Sequence, residues 1–469
     1  MKNKLKSKFN IWYLGFFAAI FSSLFIIFFG EDYAVITALI PLTYAIMVTV
    51  SGAGNNFLCK YMPGMTCVNI IYFGKSCIYP FFQSITHNDY MLDEHLNLAV
   101  LLTIGEIVVI YSVFWVLKHR KKELQSVISE FELNNILTLN KVVILGFLAL
   151  TALLILVYPS VLNDYNFFFV RSTDVIKQKA SMNTSPSIAS IFVGWAKFIL
   201  PVIVYQACYV KYKKTNKNRY VIFAFACVLI VSTIVEGVSR SSFVLPALCS
   251  FCLLIRLFPK QTKKITAFFV TVLCCVFLVF TVTKFGSVVG SDGSPVAGIT
   301  DTLQAYLCGY KNMEISIKTE ELYGSSIGVD TLLSDLLGNW MGIGKLFRDS
   351  PSTSQFFNFT MYGNTKSVDQ IIPTVGQSFL QFGPFLPYVY TIIMMIVIVN
   401  SDRKYRTEKR IDYAYLLLYI SIKCAITLMG NFKIFMANVL NTVLPIFIIL
   451  YLNHHFVVRI RQECNLWTF

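Results

Sequence analysis

The stretch IWYLGFFAAIFSSLFIIFF, from Ile11 to Phe29, contains nineteen residues and no charge. As an α-helix it rises about 28 Å, close to the thickness of the bilayer hydrocarbon. Lys2, Lys4, Lys6 and Lys8 precede it and no small-residue cleavage site follows. It therefore reads as a retained membrane helix and not as a removed signal peptide. Working outward, eleven more apolar stretches are predicted to span: 33–50, 62–85, 95–117, 141–161, 188–210, 220–236, 241–258, 265–285, 373–399, 411–430 and 434–452. The stretch 62–85 is interrupted by Asn69, Gly74 and Lys75, and the pair within 220–258 is short. Across 469 residues the chain is 56% hydrophobic and only 14% charged. So little polar surface cannot cover so large an apolar volume, which excludes a water-soluble globule, and the abundance of apolar side chains excludes disorder.

The net charge of +15 is sorted by loop, so it is an orientation signal and not a footprint for nucleic acid. With the N-terminus in the cytoplasm, 26 of the 40 Lys and Arg fall on the cytoplasmic side, including Lys118 to Lys122, Lys211 to Arg219, and Arg403 to Arg410. The short outer connections are acidic or neutral, as at Glu31-Asp32 and from His87 to His95. Both termini are then cytoplasmic. The twelve cysteines mostly lie inside apolar runs, and Cys249-x-x-Cys252 sits mid-span, so no disulfide or zinc framework is expected.

The predicted fold class is an all-α integral membrane protein with about 12 transmembrane helices and one long, partly helical outer loop. Residues 1–285 carry nine helices and an outer loop at about 162–187. Residues 286–372 form a large outer cap, and 373–469 carry three helices and a cytoplasmic tail. The cap is far longer than a simple connector. It contains an amphipathic stretch from Asp301 to Leu322 and another from Asp330 to Phe347, with Asp301 and Asp330 at the expected N-caps.

Residues suited to chemistry cluster at the outer edge. Arg171 lies in an aromatic-rich stretch, Arg240 in the turn Gly237-Val-Ser-Arg240, and Arg348 with Lys345 at the end of the second cap helix. Guanidinium groups make planar, paired contacts to phosphate oxygens, so several at one membrane face suit a lipid-linked pyrophosphate. Each also has a plainer reading as a snorkelling or locally paired cation, Arg240 with Glu236 for instance. Lys75, Glu106, Lys197 and Lys423 fall inside predicted spans, where ionisable groups usually line a cavity or pathway. No HExxH, P-loop or DxD occurs, none of the five histidines lies in the cap, and no carboxylate cluster has metal-ligand spacing. No metal and no cofactor are expected.

The cap sequence Ala305-Tyr306-Leu307-Cys308-Gly309-Tyr310-Lys311-Asn312 resembles the Tyr-x-x-Gly-x-x-x-Asn element of bacterial oligosaccharide repeat-unit (O-antigen, Wzy-type) polymerases. Tyr362-Gly-Asn364-Thr, followed by Ile372 to Phe385, is similar to their loop exit, and Arg171 and Arg240 match the arginines of their outer loops. The chain departs from the family at Gln381-Phe382-Gly383, where many members have Asp-aromatic-Gly, so an acidic role at that position does not transfer.

The resemblance implies a GT-C-like glycosyltransferase of the bacterial inner membrane with its site on the periplasmic side. It would extend glycans carried on undecaprenyl pyrophosphate, for O-antigen or capsule. Its partners would be the undecaprenyl-pyrophosphate-linked oligosaccharide, membrane lipids and, as an open question, a chain-length regulator, with no nucleic acid. Arg171, Arg240 and Arg348 would neutralise the leaving pyrophosphate. Tyr306, Tyr310, Lys311, Asn312, Asn364 and Gln377 would bind sugar or its carrier. The base would be a cap carboxylate: Asp330 is the first choice, with Asp335, Asp349 and Glu314 as alternatives. Two competing functions remain. An O-antigen ligase would need a loop histidine that this chain lacks, and a lipid-linked oligosaccharide flippase would be expected to show two similar halves.

Overall fold

The computed structural model describes residues 11–54, 61–86, 94–120, 128–133, 141–167, 187–236, 241–272, 295–341, 343–347, 350–364 and 370–466. Their regular elements are helices apart from one ribbon of two three-residue strands. Among the described residues, four helices are long and apolar enough to cross a membrane: Trp12–Phe29, Leu96–His119, Ile188–Thr215 and Phe432–Phe456. A fifth arises if Phe243–Leu257 and Pro259–Val272, which meet at 109°, form one broken span. Only 17% to 44% of the apolar windows in the four long helices is buried. Phe28, Leu156, Val142 and Ile222 all point outward, more than 60% exposed. Helices this apolar with so much surface outward are built for a lipid solvent.

The chain divides into two compact units. The first comprises Met1–Ser126, Cys275–Arg403 and Lys423–Asn438. Its apolar helices enclose a polar centre. Tyr44 OH donates to the carbonyl of Asn69 at 2.8 Å, and Tyr111 OH to Asn69 Oδ1 at 3.3 Å. Lys75 Nζ lies 2.7 Å from Glu106 Oε2, and Tyr72 OH donates to Glu106 Oε1 at 2.8 Å. Lys75 projects from a π-helical turn, Gly74–Ile78, that interrupts the helix pair Pro63–Phe73 and Tyr79–Thr86. Low dielectric makes a lone charge there prohibitive and a paired, hydrogen-bonded one tolerable. Asp402 reaches across this unit to the start of Pro63–Phe73, accepting from the amides of Gly64 (3.1 Å) and Met65 (2.9 Å). It thus satisfies amide donors that the chain's own N-cap position, Met62, cannot.

The second unit comprises Val127–Cys274, Lys404–Ile422 and Val439–Phe469. Helices Lys141–Val157, Ser187–Thr215, Arg219–Thr233 and Ser241–Leu257 pack in sequence. The ribbon pairs Tyr165–Phe167 with Ile234–Glu236, antiparallel. Lys197 holds it from beneath, donating to the Ile234 carbonyl and lying 5.8 Å from the Tyr165 ring centre. Arg256, buried, donates to the carbonyls of Ser129 (2.9 Å), Tyr405 and Glu408 and stacks 4.0 Å over Phe131.

Several predicted elements need correction. The stretch 373–399 is not one continuous helix: it is Thr374–Phe382 and Val389–Thr407, broken at Gly383, whose φ of +73° a side chain strains to adopt. The amphipathic stretch from Asp301 to Leu322 is two helices, Pro295–Leu307 and Tyr310–Tyr323, divided at Cys308-Gly309. Neither aspartate is an N-cap. Asp301 lies inside the first of these helices, and Asp330 is the second residue of Val329–Leu337, capped by Gly328. The stretches 141–161 and 220–236 stop being α-helical at Val157 and Thr233, the first at a turn opened by Pro159 and the second at the ribbon. Residues 273–285 of the predicted ninth span lie outside the described residues.

Candidate functional site

The cap helix Tyr310–Tyr323 carries the motif residues into the interior of the first unit. It packs on Leu96–Arg120 and on Thr374–Phe382, and nine of its fourteen residues are buried, although its sequence is on balance polar. Gly309 permits this approach. A Cβ there would sit 2.3 Å from the Tyr79 ring and 2.3 Å from Gln304 Oε1. Tyr310 lies with its ring centre 5.2 Å from that of Tyr79. Lys311 is buried, with its ammonium 3.6 Å from Glu314 of the same helix. Tyr310 and Lys311 line a cleft with Glu31, Thr37, Gln83 and Ser84. Asn312 is fully buried and engaged at both ends: Oδ1 accepts from Gln304 Nε2 at 2.8 Å, and Nδ2 donates to the Ile371 carbonyl at 3.1 Å. Burial pushes the thiol of neighbouring Cys308 up to about 12, so it is no nucleophile at neutral pH.

A second polar cluster lies at the junction of the cap with the helices that follow it. Asp335, in Val329–Leu337, is 1% exposed. Its Oδ2 accepts from Gln381 Nε2 (2.7 Å), Gln377 Nε2 (2.9 Å) and the Thr353 amide (3.3 Å). Its Oδ1 has no hydrogen-bond donor among the described residues and faces Lys433 Nζ at 3.9 Å. Burial raises the Asp335 carboxyl above its ordinary value, against the lowering by Thr353, the Lys433 ammonium and Gln377. Gln377 spans the cluster, because its Oε1 accepts from the Phe432 amide at 2.7 Å. Gln381 Oε1 accepts from the Tyr390 hydroxyl, and the Tyr390 ring stacks on Phe432 at 4.0 Å and 4°. The result is a carboxylate with one saturated and one open oxygen beside a part-exposed ammonium. Such a carboxylate can accept a proton if a donor reaches the open oxygen.

The predicted site residues therefore fall into four groups. Tyr310, Lys311 and Asn312 are brought together on one buried helix, while Gln377 joins Asp335. Tyr306 is 47% exposed on the preceding helix, and Asn364 is exposed, its amide donating to the Tyr362 carbonyl at 3.1 Å. Asp330 is exposed in the first turn of its helix, whereas the alternative base Asp335 sits in the polar cluster. Arg171, Arg240, Arg348 and Asp349 lie outside the described residues. Of the ionisable residues within predicted spans, Lys75 and Glu106 pair with each other, Lys197 serves the ribbon, and Lys423 is half-buried.

Sequence reasoning missed Lys433 and the part played by Gln381. A signal for Lys433 existed: it is the one charge in the short turn left between the predicted spans 411–430 and 434–452. No protein-family profile, curated protein or solved structure matches this chain.

Proposed function

We propose that this chain is a membrane-embedded glycosyltransferase that polymerises lipid-linked oligosaccharide repeat units. It transfers the growing glycan from undecaprenyl pyrophosphate to the non-reducing end of the next undecaprenyl-pyrophosphate-linked repeat, in O-antigen or capsule synthesis. In this reading about twelve helices cross the bacterial inner membrane in a GT-C-like arrangement, with both termini cytoplasmic and the cap periplasmic.

The observation that carries the proposal is that the long cap is built into its unit. Tyr310–Tyr323 packs among apolar helices, and Asp335 is held by Gln377 and Gln381 of the helix that follows the cap. A polar lid fastened onto apolar helices suits chemistry on sugars carried by a lipid, and carrier flipping gains nothing from it.

Asp335 serves as the base. The acceptor hydroxyl gives its proton to Oδ1, reached past Lys433, whose side chain is 21% exposed. The acceptor oxygen bonds to the donor's anomeric carbon as the bond from that carbon to the pyrophosphate oxygen breaks, and the electron pair leaves with undecaprenyl pyrophosphate. Arg171, Arg240 and Arg348 balance the charge that grows on the leaving group, where such stabilisation is most effective. Tyr306, Tyr310 and Lys311 face the glycan, and Asn312 and Gln377 hold the framework.

Purified protein in proteoliposomes with lipid-linked repeat units tests the assignment. Glycan lengthening without ATP or nucleotide sugar is expected. Movement of the lipid between leaflets with no lengthening would instead identify a flippase.

A further inference from the structure

Gln377 makes two contacts that single out one residue no motif indicated. Its amide nitrogen donates to Asp335 Oδ2, and its amide oxygen holds the backbone of Phe432, the residue before Lys433. The same glutamine thus anchors both members of the Asp335–Lys433 pair. The Phe432 ring, stacked on Tyr390, fixes that backbone from the other side.

Among the described residues, the surroundings of Asp335 offer no competing charge at close range. Phe432–Asn438 contributes Lys433 alone, and Thr374–Phe382 contributes only the two glutamine amides. Val389–Thr407 presents Tyr390, whose hydroxyl is bound to Gln381. Thr353–Tyr362 carries Tyr362, the turn Ile343–Phe347 carries the exposed Lys345, and the helix of Asp335 carries the exposed Asp330. Arg348 and Asp349 lie outside the described residues. With Oδ2 saturated by three neutral donors, Lys433 is the cation that compensates Oδ1.

We propose that Lys433 is a positioning residue for Asp335: its ammonium keeps the open carboxylate oxygen ionised within the buried cluster and ready to take a proton from a sugar hydroxyl. The identity of the proton donor rests on the polymerase reading. The electrostatic coupling of the pair does not.

A buried carboxylate with a raised folded-state pKa binds its proton more tightly than the unfolded chain does. Its contribution to stability is therefore fully present at low pH and is lost as pH rises through the folded value. Removing the ammonium moves that loss to higher pH and enlarges it.

The experiment measures thermal unfolding of the full chain in detergent from pH 5 to pH 9 for wild type, K433Q, K433R, D335N and D335N/K433Q. K433Q should melt well below wild type at pH 8 and approach it at pH 5. K433R should track wild type, and in the D335N background K433Q should change little at any pH. A K433Q deficit that is constant with pH, or equally large with D335N, would overturn the proposal. If K433Q does not fold at neutral pH, the double variant decides. Its recovery supports the pairing, and its failure removes it.

Lengthening assays on the same proteins add a second readout. K433Q should lose on the order of tenfold at pH 6 relative to its own plateau at pH 9, with K433R restoring the wild-type profile. If wild type lengthens nothing, the polymerase reading fails while the melting data still decide the pairing.

Discussion

Lys75 and Glu106 are each 2% exposed or less and lie 2.7 Å apart. Lys75→Met leaves a buried carboxylate without its cation and should cost about 3–5 kcal/mol. Lys75→Met with Glu106→Gln, which keeps an acceptor for Tyr72, should recover most of that loss. Melting temperatures of the three proteins in detergent check this, and a double variant no better than the single would show that charge is not the issue. Asp402 makes a second prediction at this scale. Asp402→Ala strands two helix-terminal amides and should cost about 1–3 kcal/mol, with Asp402→Asn in between. Both groups are visible in the sequence as charges in or beside apolar runs. Their partners, 31 positions away for Lys75 and some 337 for Asp402, are not. Nothing in local periodicity encodes a contact across so much chain.

Among the elements, the breaks carry the information. Gly309 lets the cap helix lie against Tyr79, so Gly309→Ala overpacks the contact and should cost about 1–3 kcal/mol. Under the proposed function, polymer made by cells carrying it should fall along with melting temperature. Loss of polymer at full stability would instead assign Gly309 to substrate contact. Gly383 sits at φ +73° and ψ −176°, a region nearly reserved for glycine, so Gly383→Ala should cost about 1–3 kcal/mol. The long apolar helices were legible because their composition alone exceeds what a soluble helix carries. The break in 373–399 was less so, since an apolar window averages over Gly383-Pro384, although both residues are punctuation in any reading. Division of the cap at Cys308-Gly309 was likewise hidden, because helical spacing continues on both sides.

For the molecule as a whole, the charge asymmetry predicts sidedness. A protease site inserted beside the exposed Asn364 should be cleaved from outside in intact spheroplasts, and a C-terminal tag only after permeabilisation. The opposite result would remove the periplasmic site altogether. Lengthening should also survive EDTA, because the sequence offers no carboxylate or histidine set with ligand spacing. Restoration by a divalent ion after EDTA treatment would refute that.

Composition and loop charge were enough to identify a helical membrane protein and its expected orientation, because transfer free energy and the positive-inside bias are properties of residues summed over short windows. Tertiary structure alone decided that Asp335 and not Asp330 occupies a polar cluster, that Gln377 bridges it to Phe432, and that Lys433 faces it. Those facts depend on four separate segments converging, and the energy of a buried charge is set by what surrounds it in space.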